Sequence, residues 1–195
     1  MNQTVRRPLR KPPLTRVAGL IGLCGLLLAT GTAASMDVSL TEYQVKALFL
    51  FNFTKYVEWP AAAFASAHAP ITIGVLGQDK FDDNLLRAVE GKTVNGRACV
   101  IKHLASGEDP GGCQILFVCD SEASRMAEIM DKAGTLPVLT VGEDEAFAQN
   151  GGIINFVLKN GNVRLEIDVA AAKKAGLTIS SRLLAVADAV KGGAN

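Results

Sequence analysis

The sequence predicts an α/β domain with a mostly parallel sheet that is flanked by helices and carries a C-terminal antiparallel hairpin. Short apolar runs alternate with helical patterns along the chain, which is typical of a parallel sheet. The run Gln114–Cys119 is almost continuously apolar, as expected for a parallel strand that is buried on both faces. Asn160-Gly161 lies between two strand-like runs and predicts a two-residue hairpin turn.

The N-terminal segment has the three parts of a secretory signal peptide. Its basic region is followed by the apolar run Val17–Ala29 and then by small residues. That apolar run is shorter than the roughly 20 residues that span a bilayer. We predict a signal peptide at 1–34, with cleavage after Ala34 or Ser35, and a single periplasmic domain at 35–195. An uncleaved N-terminal anchor is the alternative.

The charge of the chain is unevenly distributed. The whole sequence has 20 basic and 19 acidic residues, and five of the basic ones lie in the predicted signal peptide. The remainder therefore has 15 basic and 19 acidic residues, a net charge of −4. Nucleic-acid binding needs a basic surface that neutralises phosphates, so this composition argues against a nucleic-acid partner.

The first helix is predicted from Tyr43 to Trp59. Ser39 and Glu42 have the spacing of a capping box at its start, and Pro60 ends it. Apolar residues follow the spacing of an amphipathic helix at Val45, Leu48, Phe49, Phe53, Tyr56 and Val57.

Further apolar residues lie off this stripe, so the first helix is apolar on nearly all sides. One interpretation is a core helix that is buried on both sides. The other is that part of the helix is an exposed apolar patch that binds a partner. In that case the candidate partner-binding residues are Phe51, Tyr56 and Trp59.

The middle of the chain alternates between strands and helices. Apolar runs predict strands at 71–76, 99–103, 114–119 and 138–141. Helical patterns predict helices at 81–89, 121–133 and 143–149, and a last helix at 181–190.

The hairpin turn at Asn160-Gly161 also predicts the register of the two strands that it joins. Leu158 should face Val163, Phe156 should face Leu165, and Ile154 should face Ile167, which makes one face of the hairpin apolar. The same register pairs Asn155 with Glu166, Val157 with Arg164, and Ile153 with Asp168 on the other face.

The polar face of the hairpin suggests a ligand site. Candidate ligand-binding residues are Asn155, Arg164 and Glu166, together with Ser180 and Ser181 at the predicted start of the last helix. An arginine beside a helix N-terminus suits an anionic or zwitterionic small molecule. The alternative is a solvated sheet face with cross-strand ion pairs.

No catalytic, cofactor-binding or metal-binding signature is present in the sequence. It lacks GxSxG, a phosphate-binding loop, HExxH and SxxK, so we predict neither catalytic residues, nor a cofactor, nor a metal. The predicted mature chain has three cysteines, which allows one disulfide in an oxidising compartment. Cys99 with Cys113 is the more plausible pair, and three buried free thiols are the alternative.

Several motifs resemble the YfiR family of periplasmic regulators. They follow one another in order from Glu42 to about Val190. These motifs are EYQVKALFLFNFTKYVEWP (42–60), IGVLG (73–77), GKTVNGR (91–97), CQILF (113–117), PVLTV (137–141), GGIINF (151–156), VRLEI (163–167) and GLTISSRLL (176–184).

This resemblance implies a periplasmic α/β sandwich that acts by binding and not by catalysis. It implies repression of an inner-membrane diguanylate cyclase through the cyclase's periplasmic part, with lower cyclic di-GMP, less exopolysaccharide and less biofilm. It further implies a homodimer. Relatives accompany sensor kinases and outer-membrane receptors, so a small-molecule-sensing module in such a system is the alternative function.

The cysteines depart from those of the best-known member of the family, which has four mature cysteines in two disulfides. The predicted strand 71–76 contains no cysteine that could pair with Cys113, and the late cysteine pair of that member is missing here. Redox control of that kind is therefore not expected for this chain.

Overall fold

Strands and helices alternate along residues 40–193, the part of the chain that the computed structural model describes. The strands are β1 (Val57–Glu58), β2 (Ile71–Leu76), β3 (Thr93–Val94), β4 (Arg97–Leu104), β5 (Ile115–Val118), β6 (Leu139–Gly142), β7 (Ile154–Lys159), β8 (Asn162–Asp168), β9 (Thr178–Ile179) and β10 (Ala189–Lys191). The helices are α1 (Glu42–Tyr56), α2 (Asn84–Val89), α3 (Met126–Ala133), α4 (Glu145–Gln149), α5 (Val169–Lys174) and α6 (Ser181–Leu184). Two short 3₁₀ helices cover Ala61–Ala63 and Asp120–Arg125.

The central sheet confirms the predicted fold class. Its strand order is β10-β8-β7-β6-β5-β2-β4-β3, and the five strands β4, β2, β5, β6 and β7 are parallel to one another. From β2 the chain passes first to β4 on one side and then to β5 on the other. This is the strand order of flavodoxin-like doubly wound sheets, in which ligands bind at the carboxyl ends of the parallel strands.

The hairpin of β7 and β8 has the predicted register. Ile154 pairs with Ile167, Phe156 with Leu165, and Leu158 with Val163. Asn160 and Gly161 both adopt positive φ, at 52° and 74°, as a type I′ turn requires.

The predicted helix at 181–190 is wrong in its second half. Only Ser181–Leu184 is helical, and Ala189–Lys191 forms β10, which runs parallel to β8 and pairs Val190 with Ile167. The backbone groups on the outer edge of β8 need partners, and this tertiary pairing outweighs the helix propensity of the alanine-rich segment. The hairpin is therefore not the edge of the sheet.

Helix α1 begins and ends at other residues than predicted. Thr41 caps it, with a capping box between Thr41 and Gln44, whereas Ser39 lies outside the described residues. The helix ends at Tyr56, before Pro60, because Val57–Glu58 turns into an extended pair with Thr178–Ile179.

Two hydrophobic clusters lie on the two faces of the sheet. The larger one packs α1, α2 and α6 against the sheet, and its centre holds the rings of Phe53, Phe117 and Phe156. The smaller one packs α3 against the opposite face around Leu116 and Phe147. No helix within the described region 40–193 has the length and hydrophobicity that a membrane crossing requires.

The predicted disulfide between Cys99 and Cys113 is absent from the structure. Cys99, Cys113 and Cys119 are all free and buried. Cys99 belongs to the larger cluster and Cys113 to the smaller one, so the sheet lies between their side chains. Two cysteines can form a disulfide only when their side chains point toward each other, and side chains on opposite faces of a sheet do not. The alternative of three buried thiols therefore describes the structure.

Candidate functional site

An open cleft of about 620 Å³ lies where β6 and β7 meet the start of α1. Gly142 ends β6 and is the last residue of that strand that pairs with β7. Beyond Asn155, β7 keeps β8 on one edge, and its other edge, which no longer pairs with β6, forms one wall of the cleft. Eight of the twelve residues that line it have polar or charged side chains, namely Glu42, Lys46, Glu143, Glu145, Gln149, Asn155, Glu166 and Lys191.

Lys46 is the central charge of this cleft. Its side chain is 4% exposed, and its ammonium group contacts the carboxylates of Glu42 and Glu143. The distance from Nζ to Oε2 of Glu143 is 2.5 Å, and the side chain of Glu143 is 7% exposed. Two carboxylates therefore compensate one buried ammonium group, which leaves this corner of the cleft with a net negative charge.

Tyr43 completes the group around Glu143. Its hydroxyl donates to both carboxylate oxygens of Glu143 at 3.1 Å, and the ammonium of Lys46 lies 4.6 Å from the centre of its ring. Burial and the neighbouring carboxylate of Glu143 raise the pKa of Tyr43 well above its usual range. The phenol is therefore a neutral hydrogen-bond donor at any physiological pH.

The local structure explains why these groups meet. Residues four positions apart lie on one helix face, so Glu42 and Lys46 reach the cleft together from α1. Glu143 follows the carboxyl end of β6, and Asp144 caps α4 by accepting from the N–H of Ala146 at 2.6 Å. With its nitrogen turned toward this loop, the buried Asn155 amide donates to the carbonyl of Gly142 at 3.2 Å.

The predicted ligand-binding residues do not form one site. Asn155 and Glu166 line the cleft, but Arg164 does not. Ser180 accepts from the N–H of Arg182 and donates its own N–H to the carbonyl of Tyr56 at 2.8 Å, which places Ser180 and the adjoining Ser181 at the far end of α1. Ser180 and Ser181 are therefore separated from Asn155 and Glu166 by the length of α1.

Lys46, Glu143 and Tyr43 were not predicted from the sequence. The available signal was a lysine inside a largely apolar helix, four residues after a glutamate. A lysine in such a position must either reach solvent or find carboxylates.

A second polar contact lies beyond the carboxyl ends of the adjacent parallel strands β2 and β5. The ammonium of Lys80 binds the carboxylate of Asp120, and the hydroxyl of Ser121 accepts from the N–H of Gln78 at 2.9 Å. The hydrogen bond from Lys80 lowers the pKa of Asp120. Within residues 40–193 no group of three or more carboxylate, histidine or cysteine side chains is arranged to hold a metal ion.

Two of the three predicted partner-binding residues, Tyr56 and Trp59, lie at the opposite end of the sheet from the cleft. Trp59 and Tyr56 are half-buried, and the indole N–H of Trp59 donates to the carbonyl of Gln114 at 2.9 Å. Phe64 lies nearby in the same loop region, half-buried, with the guanidinium of Arg97 3.9 Å above its ring. Phe51 is only 7% exposed and belongs to the core, so α1 does not present that ring as an exposed patch.

The sheet order and the cleft define a doubly wound α/β domain whose polar site is open at the carboxyl ends of its strands. A family model described as YfiR/HmsC-like matches residues 43–188, and the chain belongs to that family. Members of this family are in general periplasmic regulators of cyclic di-GMP signalling. No curated protein matches the sequence significantly.

Two solved structures show the same fold. A conserved domain protein from Vibrio cholerae O1 biovar El Tor str. N16961 superposes with a TM-score of 0.54 at 13% identity, over 78% of this chain and 61% of that one. An ABC domain in complex with L-Trp from Streptococcus pneumoniae gives a TM-score of 0.52 at 13% identity, over 74% of this chain and 60% of that one. The chain thus spans about three-fifths of each, and at this identity the likeness shows the fold alone.

Proposed function

We propose that this protein represses an inner-membrane diguanylate cyclase by binding the cyclase's periplasmic part, without catalysing a reaction itself. The observation that supports this is the family match, which extends over residues 43–188 and so covers nearly all of the predicted mature domain. Lower cyclic di-GMP would then reduce exopolysaccharide and biofilm. In this proposal the protein is exported by the signal peptide at 1–34 and acts as a homodimer.

The surface that best suits partner binding is the aromatic end of the domain, formed by Tyr56, Trp59 and Phe64. All three rings are half-buried, so each keeps a fixed position and still offers apolar area to a partner. Tryptophan and tyrosine are enriched among the residues that contribute most to binding in protein interfaces. The hydrogen bond from Trp59 to Gln114 holds its indole ring against the amino ends of the strands.

The test is deletion of the gene followed by complementation, with cyclic di-GMP measured in cell extracts. Deletion should raise the cyclic di-GMP level, and the wild-type gene should lower it to the original level. The Tyr56→Ala gene should leave the level high, and the variant protein should not bind the purified periplasmic part of the cyclase. The matched control is Leu158→Ala, because Leu158 is 56% exposed and lies beside the cleft at the other end.

Unchanged cyclic di-GMP after deletion would reject the repressor function. Full repression by Tyr56→Ala together with loss of repression by Leu158→Ala would show that the partner binds at the cleft and not at the aromatic end.

A second candidate function is the sensing of a small molecule in the cleft, for a sensor kinase or outer-membrane receptor system. The cleft volume of about 620 Å³ and the lining by Asn155 and Glu166 favour it. A panel of amino acids and nucleotides would be screened by thermal shift, because a ligand stabilises only the state that it binds. Glu166→Gln should lose the shift, and Arg164→Ala should keep it, because Arg164 does not line the cleft. The opposite pattern would exclude this cleft as the binding site.

A further inference from the structure

The outer edge of β4 has almost no strand partner. Along its inner edge, β4 pairs with β2 over residues 99–104. Along its outer edge, β3 pairs only with Arg97 and Ala98. Among the described residues, the stretch 99–104 therefore has one edge inside the sheet and one edge that no strand covers.

The backbone orientation along this stretch follows from two hydrogen bonds. The carbonyl of Leu104 accepts from the N–H of Gly77 at 3.3 Å, so Leu104 directs its backbone groups toward β2. The N–H of Cys99 donates outward to the carbonyl of Lys92 at 3.2 Å. Alternate residues of a strand share a direction, so the N–H and C=O of Ile101 and His103 also point away from the sheet.

A groove of about 500 Å³ runs between this edge and α2. Its wall on the helix side is apolar, with Leu85, Leu86 and Val89, and Leu86 is 51% exposed. Val100 lines the strand side and is 38% exposed. An extended segment placed here would gain main-chain hydrogen bonds from β4 and apolar contact with the helix.

Carboxylates surround the groove. Its lining includes Asp79, Asp82, Asp83 and Glu90. The imidazole Nδ1 of His103 lies 3.2 Å from Asp79, and Arg87 lies 3.6 Å from Asp83. No basic side chain of residues 40–193 is within ion-pair distance of Asp82 or Glu90, so the rim retains unbalanced negative charge.

We propose that the edge of β4 binds an extended polypeptide segment with apolar and basic side chains, which adds to the sheet as a further strand. Main-chain bonds to Ile101 and His103 would supply affinity, and the acidic rim would select basic side chains. Pairing with the β4 edge of a second copy is disfavoured, because it would bring two acidic rims together. The groove is separate from both the aromatic end and the cleft, so this inference does not depend on the proposed function.

The test uses the purified mature chain and a hexapeptide of alternating lysine and valine, acetylated and amidated at its ends. Amide hydrogen exchange is followed residue by residue by NMR. At a peptide concentration ten times the Kd, exchange at Ile101 and His103 should slow by about tenfold. The amides of Val100 and Lys102 already face β2 and should change little. A peptide of alternating glutamate and valine should give no protection.

Three variants make the test specific. His103→Pro removes an outward N–H and is tolerated at a sheet edge, so it should abolish binding while the fold persists. Lys102→Ala is the matched control, because Lys102 is also exposed but its N–H faces inward, and it should bind as the wild type does. The double variant Asp82→Asn with Glu90→Gln should weaken binding roughly tenfold, which is 1.4 kcal/mol at 25 °C.

The proposal would be overturned by equal binding of both peptides, by unchanged binding in His103→Pro, or by an absence of protection at Ile101 and His103. The amides of Ile101 and His103 could also become protected without peptide, to a degree that rises with protein concentration. That result would identify a second copy of the chain as the occupant of the groove and would also overturn the proposal.

Discussion

Lys46 and Glu143 form a buried ion pair that joins the second turn of α1 to the loop that follows β6. Both side chains are less than a tenth exposed, and Glu42 and Tyr43 complete the group. An ion pair of this kind is costly to bury and more costly to break. It therefore holds the start of α1 in one position over the cleft.

Removing the ammonium group should strongly destabilise the domain. Lys46→Met leaves Glu143 buried without its cation, and the free energy of unfolding should fall by about 3–5 kcal/mol. The free energy of unfolding is measured by urea denaturation at pH 7. The double variant Lys46→Met with Glu143→Leu should recover most of the stability that Lys46→Met loses.

The matched control for this prediction is Lys132→Met, which removes an exposed ion pair with Glu128. It should change stability by less than about 1 kcal/mol. Equal losses in Lys46→Met and Lys132→Met would contradict the view that burial makes the first pair important.

The ring of Phe147 should make Gly152 intolerant of any side chain. A Cβ at Gly152, or at Gly142, would overlap that ring, which is fully buried. Gly152→Ala should therefore cost about 2 kcal/mol through overpacking, as seen in urea denaturation. Gly111→Ala is the control, since a Cβ there meets only the flexible side chain of Asp109. An unchanged stability of Gly152→Ala would mean that Phe147 can move aside at little cost.

The three thiols should be unreactive in the folded protein. Burial raises the pKa of Cys99 and Cys113, and burial together with Glu143 raises the pKa of Cys119 to about 12. Thiolate is the reactive form, so Ellman's reagent at pH 8 should detect no thiol in the native mature chain and three after denaturation. Only one thiol after denaturation would show that the isolated protein contains a disulfide.

The raised pKa of Cys119 should also make the folded protein less stable in alkaline solution. An unfolded cysteine ionises near pH 8.5, whereas folded Cys119 ionises near pH 12. Between these values the unfolded state loses a proton that the folded state keeps, so its share of the population grows as the pH rises. The unfolding midpoint in urea should decline from pH 8.5 to pH 11, and the decline should be smaller in Cys119→Ala. An identical decline in both proteins would assign the effect to other groups.

Gln114 should be essential to the amino ends of the strands. Its side chain is buried, accepts from the N–H of Thr72 at 2.8 Å and donates to the carbonyl of Ala63 at 2.6 Å. Gln114→Leu leaves both backbone groups without these partners and should cost about 2 kcal/mol in thermal or urea unfolding. The exposed Gln149→Leu should be nearly neutral by comparison. Similar losses in both variants would show that the amide contributes little.

Local signals in the sequence predicted the hairpin well. The Asn160-Gly161 turn and the alternation of apolar residues set the register, because both depend on neighbouring residues alone. The same holds for the core strands β2 and β5, whose apolar composition suits burial on both faces. The side of α1 that faces the core was harder to predict, because a helix that is apolar on nearly all sides does not indicate which of them is buried. Leu48 is 42% exposed, whereas Lys46 is buried.

The fold class, the hairpin and the order of most elements follow from local patterns and chain topology, so they could be predicted from the amino-acid sequence. Three features could not be predicted in this way: the pairing of Ala189–Lys191 as β10, the position of Cys99 and Cys113 on opposite faces of the sheet, and the contact between Lys46 and Glu143. Each of these depends on residues that are far apart in the chain. Their energies come from strand pairing and from the burial of charge, which appear only once the sheet has brought those residues together.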